Sequence, residues 1–162
     1  MKRVENSLGW YFDDWSEFEL RLVIRGPPLS WKNHRQLTVI AGKPRLVLSK
    51  AHKKWAHGAV VQLMAQWGSK FSGPLPKKIP LNAAIVSYLP TRRLTDASNL
   101  YQGPEDVMQA CHSRCKPTCR VHAGVIEDDC AIETHNGSAR RYDKDNPRVE
   151  IVLTRSYAVA GR

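Results

Sequence analysis

Apolar and polar residues alternate over 18–24, with Phe18, Leu20, Leu22 and Ile24 on one side. A period of two predicts a strand with one buried face. Gly26-Pro27-Pro28 then stops it. Two short apolar runs, 37–40 and 45–48, flank Ala41-Gly42-Lys43-Pro44 and predict a hairpin. The period changes after Ser49, a good N-cap. Trp55, Ala59, Leu63 and Trp67 recur at helical spacing, which predicts an amphipathic helix over 50–67. Residues 81–89 are apolar and β-branched enough for a central strand, and Pro90 ends it. A second helix is expected over 99–110, but Gly103-Pro104 interrupts its pattern. Proline is tolerated in a first turn, so the helix proper is expected to begin near Pro104, with Glu105 and Asp106 at its positive end. Two final strands are expected at 131–141 and 148–154, with turn chemistry at Gly137 and at Asp145-Asn146-Pro147. The pattern therefore predicts an α+β fold. It is a single small domain, a mixed β-sheet with two main helices packed against it, over 18–155. A loose leader (1–17) precedes it and a tail (156–162) follows.

Charge changes the picture. Lys and Arg number 25 against 15 Asp and Glu, a formal net charge of +10. Basic residues come in small groups: Lys53-Lys54, Lys77-Lys78, Arg92-Arg93 and Arg140-Arg141. Such a balance points to nucleic acid, with a solvated basic surface as the alternative. No apolar run reaches the ~20 residues of a membrane helix, and no signal peptide is visible, so no membrane partner is expected.

Against this background, carboxylates gather at Thr95-Asp96-Ala97-Ser98-Asn99, at Glu105-Asp106, and at Glu127-Asp128-Asp129. A basic chain that gathers carboxylates suits a metal-dependent nuclease: the field collects the phosphate backbone, and the carboxylates hold the ion that cuts it. Each acidic group also has a plainer reading. Thr-Asp-x-Ser-Asn is rich in helix caps, and Asp128-Asp129 fits a solvated turn. An irregular insertion, 111–122, carries Cys111, Cys115, Cys119 and His122, with Cys130 nearby. These are either ligands of a structural zinc ion or ordinary loop thiols. Trp10, Trp15 and Trp31 are candidates for stacking on unpaired bases, although core packing is the favoured reading for all five tryptophans, least so for Trp31 in its polar loop; Trp55 and Trp67 fall on the first helix.

Four segments in order resemble the RusA-type Holliday-junction resolvases, the crossover junction endodeoxyribonucleases. Gly26-Pro27-Pro28-Leu29-Ser30-Trp31-Lys32-Asn33 is similar to their early proline-serine-asparagine segment. Pro90-Thr91-Arg92-Arg93-Leu94-Thr95-Asp96-Ala97-Ser98-Asn99-Leu100 resembles their central acidic motif. Residues 124–129 resemble their late double-aspartate motif, and 146–151 their closing strand. The resemblance spans about 18–154. It implies a homodimer that binds four-way or otherwise branched DNA and nicks it in pairs with Mg2+, or Mn2+, during recombination and repair in the cytoplasm of a bacterial or phage-infected cell. By resemblance Asp96 and Asp128 are catalytic, and Asp96, Asp128 and Asp129 hold the metal. DNA contacts are expected from Lys32, Arg35, Arg92, Arg93, Asn99 and Gln102. The chain departs from the pattern at Ser98, where a second aspartate is usual, at Gln102, where a lysine is usual, and at Thr95, where an arginine is frequent. The insertion is a fourth departure. These keep two alternatives open: a weakened relative that binds branched DNA without cutting it, and a zinc-stabilised DNA-binding regulator.

Overall fold

The computed structural model describes residues 3–6, 9–12, 18–29, 35–68, 73–92, 96, 98–111 and 122–156. Within the stretch expected to be a loose leader, β1 (Arg3–Asn6) pairs antiparallel with β2 (Gly9–Phe12) as a short hairpin. The alternating segment forms β3 (Glu19–Arg25). Next comes a separate hairpin, β4 (Arg35–Ile40) with β5 (Lys43–Leu48). Its turn is only Ala41-Gly42, both at positive φ, which explains glycine there. Helix α1 (Lys50–Trp67) starts where expected, and the Ser49 hydroxyl accepts the His52 N–H.

The main sheet has five strands. The antiparallel strands β3, β9 (Arg148–Arg155) and β6 (Leu81–Leu89) lie side by side in that order. Two short strands, β7 (Ile132–Thr134) and β8 (Ala139–Tyr142), then run parallel to β6 along its other edge. The sequence predicted one strand over 131–141; a turn at positive-φ Gly137 breaks it in two. Side chains fill the break. Asn82 Oδ1 accepts from Thr134 Oγ1 and Asn136 N at 2.7 and 2.8 Å, and Ser138 Oγ accepts from Ile85 N at 2.8 Å.

The core follows the two periods. Leu20, Leu22 and Ile24, Leu81, Ala83 and Ile85, and Val149, Ile151 and Leu153 point inward from three strands, against Ala56, Ala59, Val60, Leu63 and Trp67 of α1. Burying each large side chain contributes ~1.5–3 kcal/mol. Edge strand β3 is closed in another way. Gln66 accepts from Val23 N at 2.9 Å and donates to Val23 O at 2.8 Å, and Gln62 does the same for Arg25 at 2.8 and 3.4 Å. The two amides stand in for a neighbouring strand and protect an exposed edge. Gln66→Ala should destabilise the fold by ~1–3 kcal/mol, because it leaves part-buried backbone groups unpaired; urea unfolding measures this.

The second helix, α2 (Ser98–Met108), is continuous through Gly103 and Pro104 and does not begin at the proline. Asp96 starts it: its Oδ1 accepts from Ser98 N at 3.1 Å and its carbonyl from Asn99 N at 3.2 Å. Gly103 is required for packing, since a Cβ there would meet Leu29 O at 3.1 Å and the Trp55 ring at 3.4 Å. Among the described residues no helix is long and apolar enough to cross a membrane.

Candidate active site

Helix α2 buries Leu100, Gly103, Pro104, Val107 and Met108. Residues one turn apart share a face, so the outer side presents two stripes, Tyr101 with Glu105 and Gln102 with Asp106. The first stripe meets His135: Tyr101 stacks on the imidazole at 5.4 Å between centroids, and Glu105 pairs with its Nε2. This fixes α2 to the turn that splits β7 from β8.

Asp106 of the second stripe lies within reach of a short 3-10 turn, Asp129–Ala131, that packs against α2. Residues 123–127 are laid between Leu75 and the end of α2. Val125 N donates to Met108 O at 2.8 Å, Leu75 N to Val125 O at 2.8 Å, and Glu127 N to Leu75 O at 2.8 Å. Positive-φ Gly124 allows the chain to enter this slot. Asp128 then caps the turn by accepting from Cys130 N at 3.0 Å.

The result is a row of carboxylates. Partial burial, then the charges of Asp129 and Glu105, push Asp106 up to about 6, and Arg35 opposes them. Asp129 is also raised, by partial burial and then by a hydrogen bond and charge from Asp128, against the pull of nearby backbone N–H groups. The row carries more negative charge than its surroundings offset. The donor set is oxygen only, which suits Mg2+ or Mn2+. Mg2+ needs one or two protein carboxylates, with water and substrate phosphate completing its shell. Asp106 and Asp129 are the candidates for those carboxylates. Among the described residues no group of three or more His, Cys, Asp or Glu side chains is arranged to hold a metal ion.

The residues singled out by sequence are placed as follows. Asp128 and Asp129 lie together. Asp96 lies at the other end of α2, and the rise from Ser98 to Asp106 alone is ~12 Å. Asn99 turns inward, with its Oδ1 buried and without a hydrogen-bond partner among the described residues. Gln102 is half-buried, one turn before Asp106. Arg35 stands at the base of the β4–β5 hairpin and its charge reaches Asp106. Arg92 packs over the Tyr142 ring at 5.0 Å, beyond the end of β6. Trp15, Trp31, Lys32, Arg93, Cys115 and Cys119 lie outside the described residues.

Asp106 was noted in the sequence as one of the gathered carboxylates but was not named as a metal ligand. Its assignment to a first helical turn gave it a ready explanation. With α2 starting at Ser98 it falls in the third turn, where the helix dipole gives no reason for a carboxylate.

The insertion returns to its own starting point. Ala123 N donates to Val107 O at 2.7 Å and Gly124 N to Gln109 O at 2.9 Å, which brings its two ends, Cys111 and His122, back to the same end of α2. No protein-family model matches this chain, and no curated protein matches it.

Proposed function

We propose that the protein is a Mg2+-dependent, structure-selective endonuclease that acts as a cytoplasmic homodimer on branched DNA such as four-way junctions. The observation that carries this reading is the approach of Asp129 to the end of α2, where residues 123–127 dock and its charge helps to raise Asp106, in a chain of net charge +10. In this reading Asp106 and Asp129 hold the ion. Asp128 shapes the turn and hydrogen-bonds Asp129, and Arg35 and Arg92 engage phosphates. The ion supplies Lewis-acid charge at the scissile phosphate. The test is nicking of a synthetic four-way junction with and without Mg2+. Binding without nicking at any Mg2+ or Mn2+ concentration supports the weakened-relative reading instead. Neutral Gln102, one turn from Asp106, favours that reading, because it brings no positive charge to the phosphate.

Asp96 has two roles to separate. The resemblance makes it a metal ligand, while its hydrogen bonds make it the residue that starts α2. Asparagine caps a helix about as well as aspartate, so Asp96→Asn should leave the melting temperature close to parental under either role. Loss of nicking at unchanged stability assigns it to the metal; parental nicking assigns it to the helix.

The return of the insertion to the end of α2 from which it leaves supports a structural zinc on Cys111, Cys115, Cys119 and His122. Purified protein should then carry about one equivalent of zinc per chain, and a chelator or Cys115→Ser should lower its melting temperature. Metal-free protein of full stability rules the zinc out.

A further inference from the structure

Beyond the carboxylate row, the far end of β6 carries a cavity of about 340 Å3, lined by Leu89, Thr91, Arg92, Arg140, Arg141 and Tyr142. Three of its six lining residues are arginines, and none is a carboxylate. Its volume falls at the lower end of the ~300–1,000 Å3 found for ligand pockets. Two of these arginines pack on aromatic rings. Arg92 stacks on Tyr142, and Arg141 packs over the Tyr88 ring at 5.9 Å, 3.5 Å from the Tyr88 hydroxyl. The other face of Tyr88 is covered by Arg148 at 3.6 Å. That arginine is neutralised by Asp143 and Glu150, each at 2.7 Å. Behind the cavity, the charge of Arg148 is paired with carboxylates; on its lining, Arg92 and Arg141 are braced by aromatic rings. A guanidinium group suits the planar, forked recognition of a phosphate.

The sheet fixes where this cavity lies relative to the carboxylates. β7, which continues directly from the Asp129 turn, pairs with β6 at Leu81, while Tyr142 pairs with β6 at Leu89. Eight residues of strand separate the two points, ~26 Å at 3.3 Å per residue. A DNA strand presents one phosphate per ~3.4 Å of helix axis, so this span covers about eight nucleotides.

We propose that the Arg92–Arg140–Arg141 cavity is a backbone-phosphate anchor that grips a duplex arm about eight nucleotides from the carboxylate row. The proposal rests on the endonuclease reading for its substrate. It adds a second point of attachment that sets a minimum arm length. Tyr142 acts here as a positioning residue, holding the Arg92 guanidinium at the cavity.

The experiment measures junction binding without Mg2+ as a function of salt, on four-way junctions with arms of 5 and 15 base pairs, with nicking scored separately. On long arms, Arg140→Gln with Arg141→Gln should weaken binding about tenfold and flatten the log–log salt slope by about 1–2, one unit for each phosphate that is no longer neutralised. On short arms the same variant should bind like the parent, because the arm ends before the cavity. Tyr142→Ala should weaken long-arm binding and Tyr142→Phe should restore it. Lys53→Gln with Lys54→Gln, an equal charge loss on α1, is the control and should have a smaller effect that is the same for both arm lengths. Parental affinity and slope in the arginine variant, an effect equal to the lysine control, equal losses on both arm lengths, or a parent that binds no junction overturns the anchor. A parent that binds with this arm-length dependence but never nicks keeps the anchor and loses the endonuclease.

Discussion

Asp106→Asn is expected to abolish Mg2+-dependent nicking while making the metal-free protein more stable. Burial and the neighbouring Asp129 and Glu105 raise the folded-state Asp106 to about 6, from an ordinary value of 3.8. A carboxylate raised on folding favours the fold only while it is protonated. Its contribution is complete below the unfolded value and is lost as pH rises through about 6. At pH 8 without metal, the folded protein therefore carries the full penalty of the ionised pair. A shift of this size corresponds to ~3 kcal/mol. Solvent screening of a half-buried group lowers this to about 1–2 kcal/mol. Removing the charge should return that amount at pH 8 and nothing below pH 4. Thermal unfolding across pH in EDTA checks the sign. Millimolar Mg2+ should then raise the melting temperature of the parent and leave Asp106→Asn unmoved, since the ion relieves a repulsion that the variant lacks. Nicking should fall at least ~100-fold, the scale of losing a metal's charge at the phosphate. Asp129→Asn should behave in the same direction. A variant that nicks at the parental rate, or that gains no stability at high pH, would show that this pair is not the metal site.

The contacts that raise Asp106 join segments distant in sequence, which makes the candidate site hard to see there. Local signals were strong wherever the reward was burial. Ser49 began α1, Phe18 to Ile24 alternated into β3, and Val149, Ile151 and Leu153 alternated into β9, because each pattern places apolar area inside. They failed where a distant side chain settled the matter. Pro104 was expected to begin α2, yet the helix passes through it, because Asp96 supplies a start and Gly103 fits under Trp55. No local rule reveals that Asn82 and Ser138 will bridge a broken edge strand, or that Gln62 and Gln66 will line another. The Asp128-Asp129 element was legible as a pair; its partner was not. Asp106 reaches it only because residues 123–127 dock against the end of α2, a contact between segments whose spacing in sequence carries no information. The hairpin was predicted correctly, but not its isolation. Its alternation gives no sign that its apolar side chains stay exposed among the described residues.

That isolated hairpin carries the other large prediction. Register places Leu37 opposite Leu46 and Val39 opposite Pro44, so one face of β4–β5 is apolar from its middle to its tip, with Arg35 opposite Leu48 at its base. Leu37, Val39 and Leu46 are 73%, 69% and 60% exposed. A two-stranded ribbon is marginal in water without a packed face, and an apolar surface of this kind marks an interface. A second copy of the chain offers the same face at the same concentration, and a two-fold axis lets the faces cover each other. The base of the hairpin ends at Arg35, beside Asp106. The same axis would therefore relate two carboxylate rows, as paired nicks on a two-fold junction require. Leu37→Glu with Leu46→Glu puts like charges at the centre of that contact, where an unpaired buried charge is strongly disfavoured. The variant should sediment as a monomer at micromolar concentrations at which the parent sediments as a dimer. It should also uncouple cleavage: on a supercoiled plasmid carrying a cruciform, the parent should yield linear product directly, and the variant should accumulate nicked circles. A variant that remains a dimer and still makes paired cuts would place the contact between copies elsewhere, and a parent that is monomeric would overturn the dimer itself.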